Sequence, residues 1–310
     1  MERQTTNFSR DEILEDYRIA NLSRHISMIG RREVLNGRAK FGIFGDGKEV
    51  AQLAMAKFFE PGDFRSGYYR DQTFQMAAGM LTPEQFFAQL YGDTNLNHNP
   101  DTGGRLMNNH FSTRSLDEKG HWKDLTKMKN SSPDISPTAG QMPRLLGLAQ
   151  ASKLYRNLEE LRDFVQFSNN GNEVAFGTIG DSSTSEGHFF ETINAAGVLQ
   201  VPMAISVWDD DYGISVTKDH QTTKGSISEA LKGFRKEEGT NGYYFYQEKG
   251  WNYPALIEMY RQGIAKARNE HAPVLFHVTE VTQPQGHSTS GSHERYKSKE
   301  RLEWEKANDP

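Results

Sequence analysis

Apolar positions along this 310-residue chain keep two rhythms, and the change comes near residue 144. In the N-terminal part they recur at helical spacing inside isolated blocks. Ser9 and Glu12 have the separation of a capping box, and Ile13, Tyr17 and Ala20 follow on one stripe, which predicts an N-terminal helix. Residues 49–59 and 83–91 predict two more, the second with Pro83 in its first turn. Between about 93 and 143 the rhythm is lost to Gly, Asn, Ser, Pro and charged residues. A patternless stretch of that length inside a compact domain is expected to be a binding loop or a mobile one.

From residue 144 onward, helix and strand patterns alternate. Helices are predicted at 144–157, 186–200, 227–236 and 253–269, the third with Ile227, Leu231 and Phe234 on one stripe. Short apolar runs between them predict strands at 172–181, 202–209, 243–247 and 273–281. Such alternation predicts an α/β fold of three layers, a mostly parallel sheet flanked by helices on both faces. The whole of 1–310 is expected to form one domain, with a helical extension at about 1–92 and the long loop region at about 93–143. Neither an internal repeat nor a low-complexity tract interrupts it.

Composition narrows the function classes. A formal charge of -5 and a pI near 6.1 exclude a chain built to coat nucleic acid, which needs clustered Lys and Arg. No run approaches the roughly 18 apolar residues of a membrane span, and the opening residues lack the apolar core of a secretory signal, so a cytoplasmic protein is expected. The absence of cysteine excludes disulfides, thiolate ligands and a cysteine nucleophile.

Candidate chemistry lies at the ends of two predicted strands. Asp181 closes one and Asp209, Asp210 and Asp211 close the next. In open parallel sheets ligands sit beyond the carboxyl ends of the strands, beside helix N-termini whose free N–H groups favour anions. Carboxylates beside an anion site call for a cation between them, and a diphosphate carried on Mg²⁺ satisfies both. A second Gly-Asp-Gly, residues 45–47, follows the apolar run 41–44 but has no acidic or Asn pair at the right distance, and reads as a turn before the helix at 49.

The segment GDSSTSEG, then DDDYGIS after the 26-residue spacer 183–208, resembles the thiamine diphosphate motif of Gly-Asp-Gly, spacer and Asn-Asn. It is most similar to the alpha subunits of 2-oxo acid dehydrogenase first components. GYYRD at 67–71, GGRLMNNHF at 103–111, NSSP at 130–133 and the closing segment 286–310 agree in the same order, and GHSTS at 286–290 is the wording of branched-chain, 2-oxoisovalerate members. The resemblance implies a thiamine diphosphate-binding fold and the oxidative decarboxylation of a branched-chain 2-oxo acid, with acyl transfer to a lipoyl acceptor. It implies Asp181, Asp210 and Tyr212 as Mg²⁺ ligands, Tyr69, Arg70, Ser132, Ser182, Ser183 and His287 as further cofactor contacts, and His287 as the catalytic residue. It also implies a beta subunit or fused beta domain, in a heterotetramer-like or dimeric assembly, and a lipoyl-bearing acyltransferase core. Relatives continue beyond the segment that ends here at Pro310, so a chain truncated at its C-terminus is expected.

Departures from the pattern sharpen the expectation. Asp210 stands for the second Asn, Ser182 for the last Gly, Gln283 for an Arg, and Trp208 for an Arg of branched-chain members. Together these make the phosphate end less positive, and leave Asp209 or Asp211 as rival ligands. A pyruvate- or acetoin-using relative, and a non-catalytic scaffold with a degraded cofactor site, remain the alternatives.

Overall fold

The computed structural model describes residues 8–289 and 291–310; the first seven residues, and Ser290 of the GHSTS segment, lie outside the described residues. In chain order the helices and strands are α1 (Arg10–Leu35), α2 (Glu49–Ala56), β1 (Phe64–Ser66), α3 (Gln72–Ala77), α4 (Pro83–Tyr91), β2 (Asn130–Ser131), α5 (Gln141–Asn157), β3 (Ala175–Gly180), α6 (Gly187–Leu199), β4 (Met203–Trp208), β5 (Tyr212–Gly213), β6 (Val216–Thr217), α7 (Ile227–Ala230), β7 (Tyr244–Lys249), α8 (Tyr253–Glu270), β8 (Val274–Thr279) and α9 (Lys299–Asn308). Six strands form one sheet in the order β2-β1-β3-β4-β8-β7, every pair parallel.

The alternating faces of β3, β4 and β8 explain why these strands read as continuous apolar runs. Phe176, Ala204, Trp208 and Phe276 point into a core shared with α2, α3 and α8. Their neighbours Ala175, Ile179, Ile205, Val207 and Leu275 point into a second core under α5, α6 and α7. Both faces are covered, so no position in these strands is left for a polar residue facing water. Helix α8 lies close on its face of the sheet because of Gly263, where a Cβ would stand 2.4 Å from two ring atoms of the buried Phe276. A third, smaller core joins α1 and α4 through Ile26, Phe44, Phe86 and Leu90.

Several elements differ from expectation. The region 93–143 holds a 3-10 turn at Leu125–Lys127, the edge strand β2 and the first residues of α5. Strands of two or three residues, such as β2 and β1, are too short to show a period. Helix α3 was equally silent, because Gln72, Thr73, Phe74, Gln75 and Met76 are all buried and leave no polar stripe. The helix expected at 227–236 stops at Ala230 and continues as a 3-10 turn, Lys232–Phe234. Its Ile227 and Leu231 are buried as the stripe required. The backbone beyond them is drawn off by Tyr243, which donates to the carbonyl of Phe234 and accepts from the N–H of Lys236, both at 2.9 Å. At the N-terminus the Ser9 hydroxyl caps α1 by accepting from Glu12 N, while the Glu12 carboxylate accepts from Lys57 at 2.8 Å. Among the described residues no helix is long and apolar enough to cross a membrane.

Candidate active site

Three parallel strands end side by side at the carboxyl edge of the sheet. Gly180 of β3 pairs with Trp208 of β4, which pairs with Val278 of β8. The chain beyond each strand is stitched to its neighbour: Asp181 N donates to Trp208 O at 3.1 Å, and Asp209 N to Val278 O at 2.8 Å. After β3 a 3-10 turn, Ser182–Ser185, leads into α6 with Glu186 at its N-cap. A cavity of about 250 Å³ opens here, and Tyr69, Arg70, Asp181, Ser182, Ser183, Asp210, Tyr212 and His287 all line it.

The four carboxylates divide by their partners. Asp209 turns away, accepting from His277 Nε2 at 2.9 Å with Lys218 at 3.6 Å, while His277 Nδ1 shares a hydrogen bond with Ser228 Oγ at 2.8 Å. Asp211 is clamped between Lys218 and Arg301. Asp210 accepts from Lys48 Nζ at 2.9 Å. Asp181 has an Oδ2 atom that is buried and without a partner. Burial, followed by the charges of Asp210 and Asp209, pushes its carboxyl well above the ordinary range. Burial also pushes Asp210 up, but Lys48 and then Arg70 bring it below its usual value. The two rival ligands therefore have cations of their own, and Asp181 is the carboxylate that lacks one.

Arg70 and His287 meet across the cavity from these acids. Arg70 donates to the carbonyls of Phe44 at 2.7 Å and His287 at 2.9 Å, which leaves other guanidinium N–H groups uncommitted to those bonds. Its charge lies over the Tyr69 ring, 5.3 Å from the centroid, and the His287 ring meets the same tyrosine edge-on at 6.3 Å. The His287 imidazole is pushed down to about 4 by burial and then by Arg70. It is therefore neutral at pH 7. The loop carrying it is tied by polar bonds: Arg31 donates to Ser288 O at 3.0 Å, and Thr289 N to Gly42 O at 3.0 Å.

Ser132 is placed differently from the other expected contacts. Its N–H and hydroxyl both donate to Arg65 O, at 2.9 and 3.2 Å, and Thr138 of the following loop lines the cavity instead. Ser182 keeps its place in the lining but gives its hydroxyl to Gln221, close against Gly213, where a Cβ would fall 2.0 Å from that oxygen. Lys48 was missed altogether. The turn at 45–47 is present as predicted, and Gly47 in it adopts φ +87° with its ideal Cβ position 2.1 Å from Thr282 O. That approach delivers the next side chain to Asp210 and Gln283, a long-range consequence that no local pattern in the sequence signals.

A family model described as the dehydrogenase E1 component matches residues 17–310. The chain belongs to this family. It is 26% identical over 314 residues to the 2-oxoisovalerate dehydrogenase subunit alpha of Bacillus subtilis (strain 168), covering 99% of this chain and 82% of that one. Against the mitochondrial 2-oxoisovalerate dehydrogenase subunit alpha of Mus musculus it is 25% identical over 309 residues, covering 97% of this chain but 59% of the mouse protein. The pyruvate dehydrogenase E1 component subunit alpha of Acholeplasma laidlawii is 25% identical over 279 residues, with 88% of this chain and 66% of that one covered.

Membership of the E1 family implies thiamine diphosphate as the cofactor, and the cavity can be tested against it. Tyr68 OH, Asp181 Oδ2 and Trp208 Nε1 are buried polar atoms without partners, and all three belong to residues lining this cavity. Unmet buried groups are costly unless a ligand or water completes them. The E1 cavity thus presents donors, an uncompensated carboxylate and Arg70 together, which fits a metal-bound diphosphate. Among the described residues no three His, Asp or Glu side chains gather as a metal cage. Mg²⁺ on one or two carboxylates plus phosphate needs none.

Proposed function

We propose that this chain is the alpha part of a thiamine diphosphate-dependent 2-oxo acid dehydrogenase of the branched-chain, 3-methyl-2-oxobutanoate type. It would serve branched-chain amino acid catabolism within a multienzyme complex. The observation that carries the reading is the unpartnered Asp181 Oδ2 in a cavity it shares with Arg70. When bound, the cofactor supplies the carbon nucleophile that engages the 2-oxo acid and allows carbon dioxide to leave. Asp181 and Asp210, with the Tyr212 carbonyl, would hold Mg²⁺, and Arg70 would hold the diphosphate. Tyr69 braces Arg70 through its ring, and Ser182 and Ser183 line the phosphate end. Activity requires a beta subunit or domain, and the acyl group passes to a lipoyl-bearing acyltransferase.

The test is calorimetry with thiamine diphosphate, with and without Mg²⁺, followed by turnover assays with and without a beta chain. Binding is expected only with the metal, and decarboxylation only with the partner. Failure of the cofactor to bind would favour a non-catalytic scaffold. The pyruvate dehydrogenase relative supports a second substrate, so 3-methyl-2-oxobutanoate and pyruvate are compared directly; faster turnover of pyruvate would overturn the branched-chain assignment.

His287 is proposed to transfer a proton at the reacting carbons or to orient the lipoyl sulfur. His287→Ala is expected to lower turnover of the assembled enzyme by ~10²-fold or more, with cofactor affinity changed much less. Rescue of the rate by saturating thiamine diphosphate would assign His287 to phosphate binding instead.

A further inference from the structure

Lys48 is buried at 2% exposure, and its ammonium has three protons to place. All three have acceptors: Asp210 Oδ2 at 2.9 Å, Thr282 O at 3.1 Å and Gln283 Oε1 at 3.0 Å. The ammonium is therefore fixed in the floor of the site. Its backbone is held as firmly, by the close approach of Gly47 to Thr282 and by Asp46, whose Oδ2 accepts from Gln285 N at 3.2 Å. The neutral Gln283 side chain matters here, since it can accept from the ammonium.

Asp209 faces His277 and Lys218, Asp211 faces Lys218 and Arg301, and Asp210 faces Lys48. Asp181 retains the one side-chain oxygen of the four acids that is buried without a partner among the described residues. We propose that Lys48 is an internal counter-ion that sets the charge of the cation site. By neutralising Asp210, it leaves Asp181 as the one carboxylate whose charge, developed as the cation binds, meets a divalent cation. A cation held this way keeps a net positive charge facing the diphosphate. With Asp210 uncompensated, the two carboxylates would cancel a divalent cation completely, binding bare metal well and its phosphate poorly. The inference rests on the proposed cofactor reading, and deepens it by making metal binding conditional on the diphosphate.

The test uses Mn²⁺ alone as the first probe and thiamine diphosphate at saturating Mg²⁺ as the second, on the full chain, with thermal unfolding recorded for every variant. Lys48→Gln removes the charge and keeps an amide donor for Asp210. It is expected to bind Mn²⁺ alone about tenfold more tightly than wild type, or better, and thiamine diphosphate about tenfold more weakly. Unchanged Mn²⁺ affinity in this variant overturns the proposal. Should Lys48→Gln not fold, the double variant Lys48→Gln/Asp210→Asn replaces one neutral pair by another, and an amide oxygen still ligates Mg²⁺. Both affinities are expected to stay within about threefold of wild type, because charge alone is conserved in the exchange. Loss of cofactor binding in the double variant would overturn the proposal by showing that Lys48 or Asp210 acts through more than its charge. A wild-type chain that binds no thiamine diphosphate refutes the cofactor reading, whereas a wild-type Mn²⁺ affinity in Lys48→Gln refutes the counter-ion alone.

Discussion

Asp181→Ala is expected to abolish Mg²⁺-dependent thiamine diphosphate binding while leaving the fold at least as stable as wild type. The two outcomes have one cause. Asp181 is 5% exposed, its Oδ2 lacks a partner, and burial together with Asp210 and Asp209 drives its carboxyl upward. A buried polar atom left unsatisfied costs about 1–3 kcal/mol, and removing it relieves that cost. The same atom is the one to which a cation would bring the most, because its three acidic neighbours are already compensated. Calorimetry with and without Mg²⁺ checks the first outcome and thermal unfolding the second. Metal-independent binding that survives unchanged would sink the site assignment. A large loss of stability would instead make Asp181 a structural cap for the turn at Ser182–Ser185.

What could be read from the sequence followed from how each feature is encoded. β3, β4 and β8 stand out because strands buried on both faces are predominantly apolar, with the few polar residues inside them, such as Thr178, Ser206 and His277, hydrogen-bonded, and the carboxylates at their ends stand out against that background. The gathering of Tyr69, Arg70, Asp181, Asp210, Tyr212 and His287 about one cavity was legible through the order and spacing of their segments. Short elements were not legible: β1, β2 and α3 carry too few residues, or too little amphipathic contrast, for a period to emerge. The failure of α7 to run on to 236 goes with Tyr243, outside the expected helix, which engages the backbone of Phe234 and Lys236. The protonation of His287 and the placement of Lys48 are likewise products of tertiary burial. Ser132 was expected among the cofactor contacts, yet its backbone and hydroxyl are committed to Arg65, a partner that no local pattern signals.

Arg65 also carries the largest expected effect on stability. It is fully buried with Asp71 and Asp134, and its guanidinium spans both: Nε donates to Asp71 at 2.8 Å, while the terminal nitrogens reach Asp134 at 2.9 and 3.0 Å, Ser131 Oγ at 2.9 Å and the Tyr68 carbonyl at 3.2 Å. The partners spread the network further, since Asp134 Oδ2 accepts from Phe111 N at 2.9 Å and Asp71 Oδ2 accepts from Thr178 Oγ1 at 2.5 Å. One side chain thereby joins β1, the strand-edge loop after β2, the 103–111 segment and the turn that presents Tyr69 and Arg70 to the cavity. Gly67 is required in that turn, because a Cβ there would fall 2.1 Å from Asp71 Oδ2. Arg65→Met retains much of the stem's volume but strands two carboxylates away from water, at a cost of about 3–5 kcal/mol. Arg65→Lys is expected to recover little of it, as a compact ammonium cannot fork between two acids. Adding Asp71→Asn and Asp134→Asn to Arg65→Met removes the stranded charges and should restore a substantial part of the loss. Chemical denaturation of the four proteins reads these differences directly. A wild-type midpoint in Arg65→Met would mean that water reaches the acids and that the turn bearing Arg70 is held by its bonds to Phe44 and His287 alone.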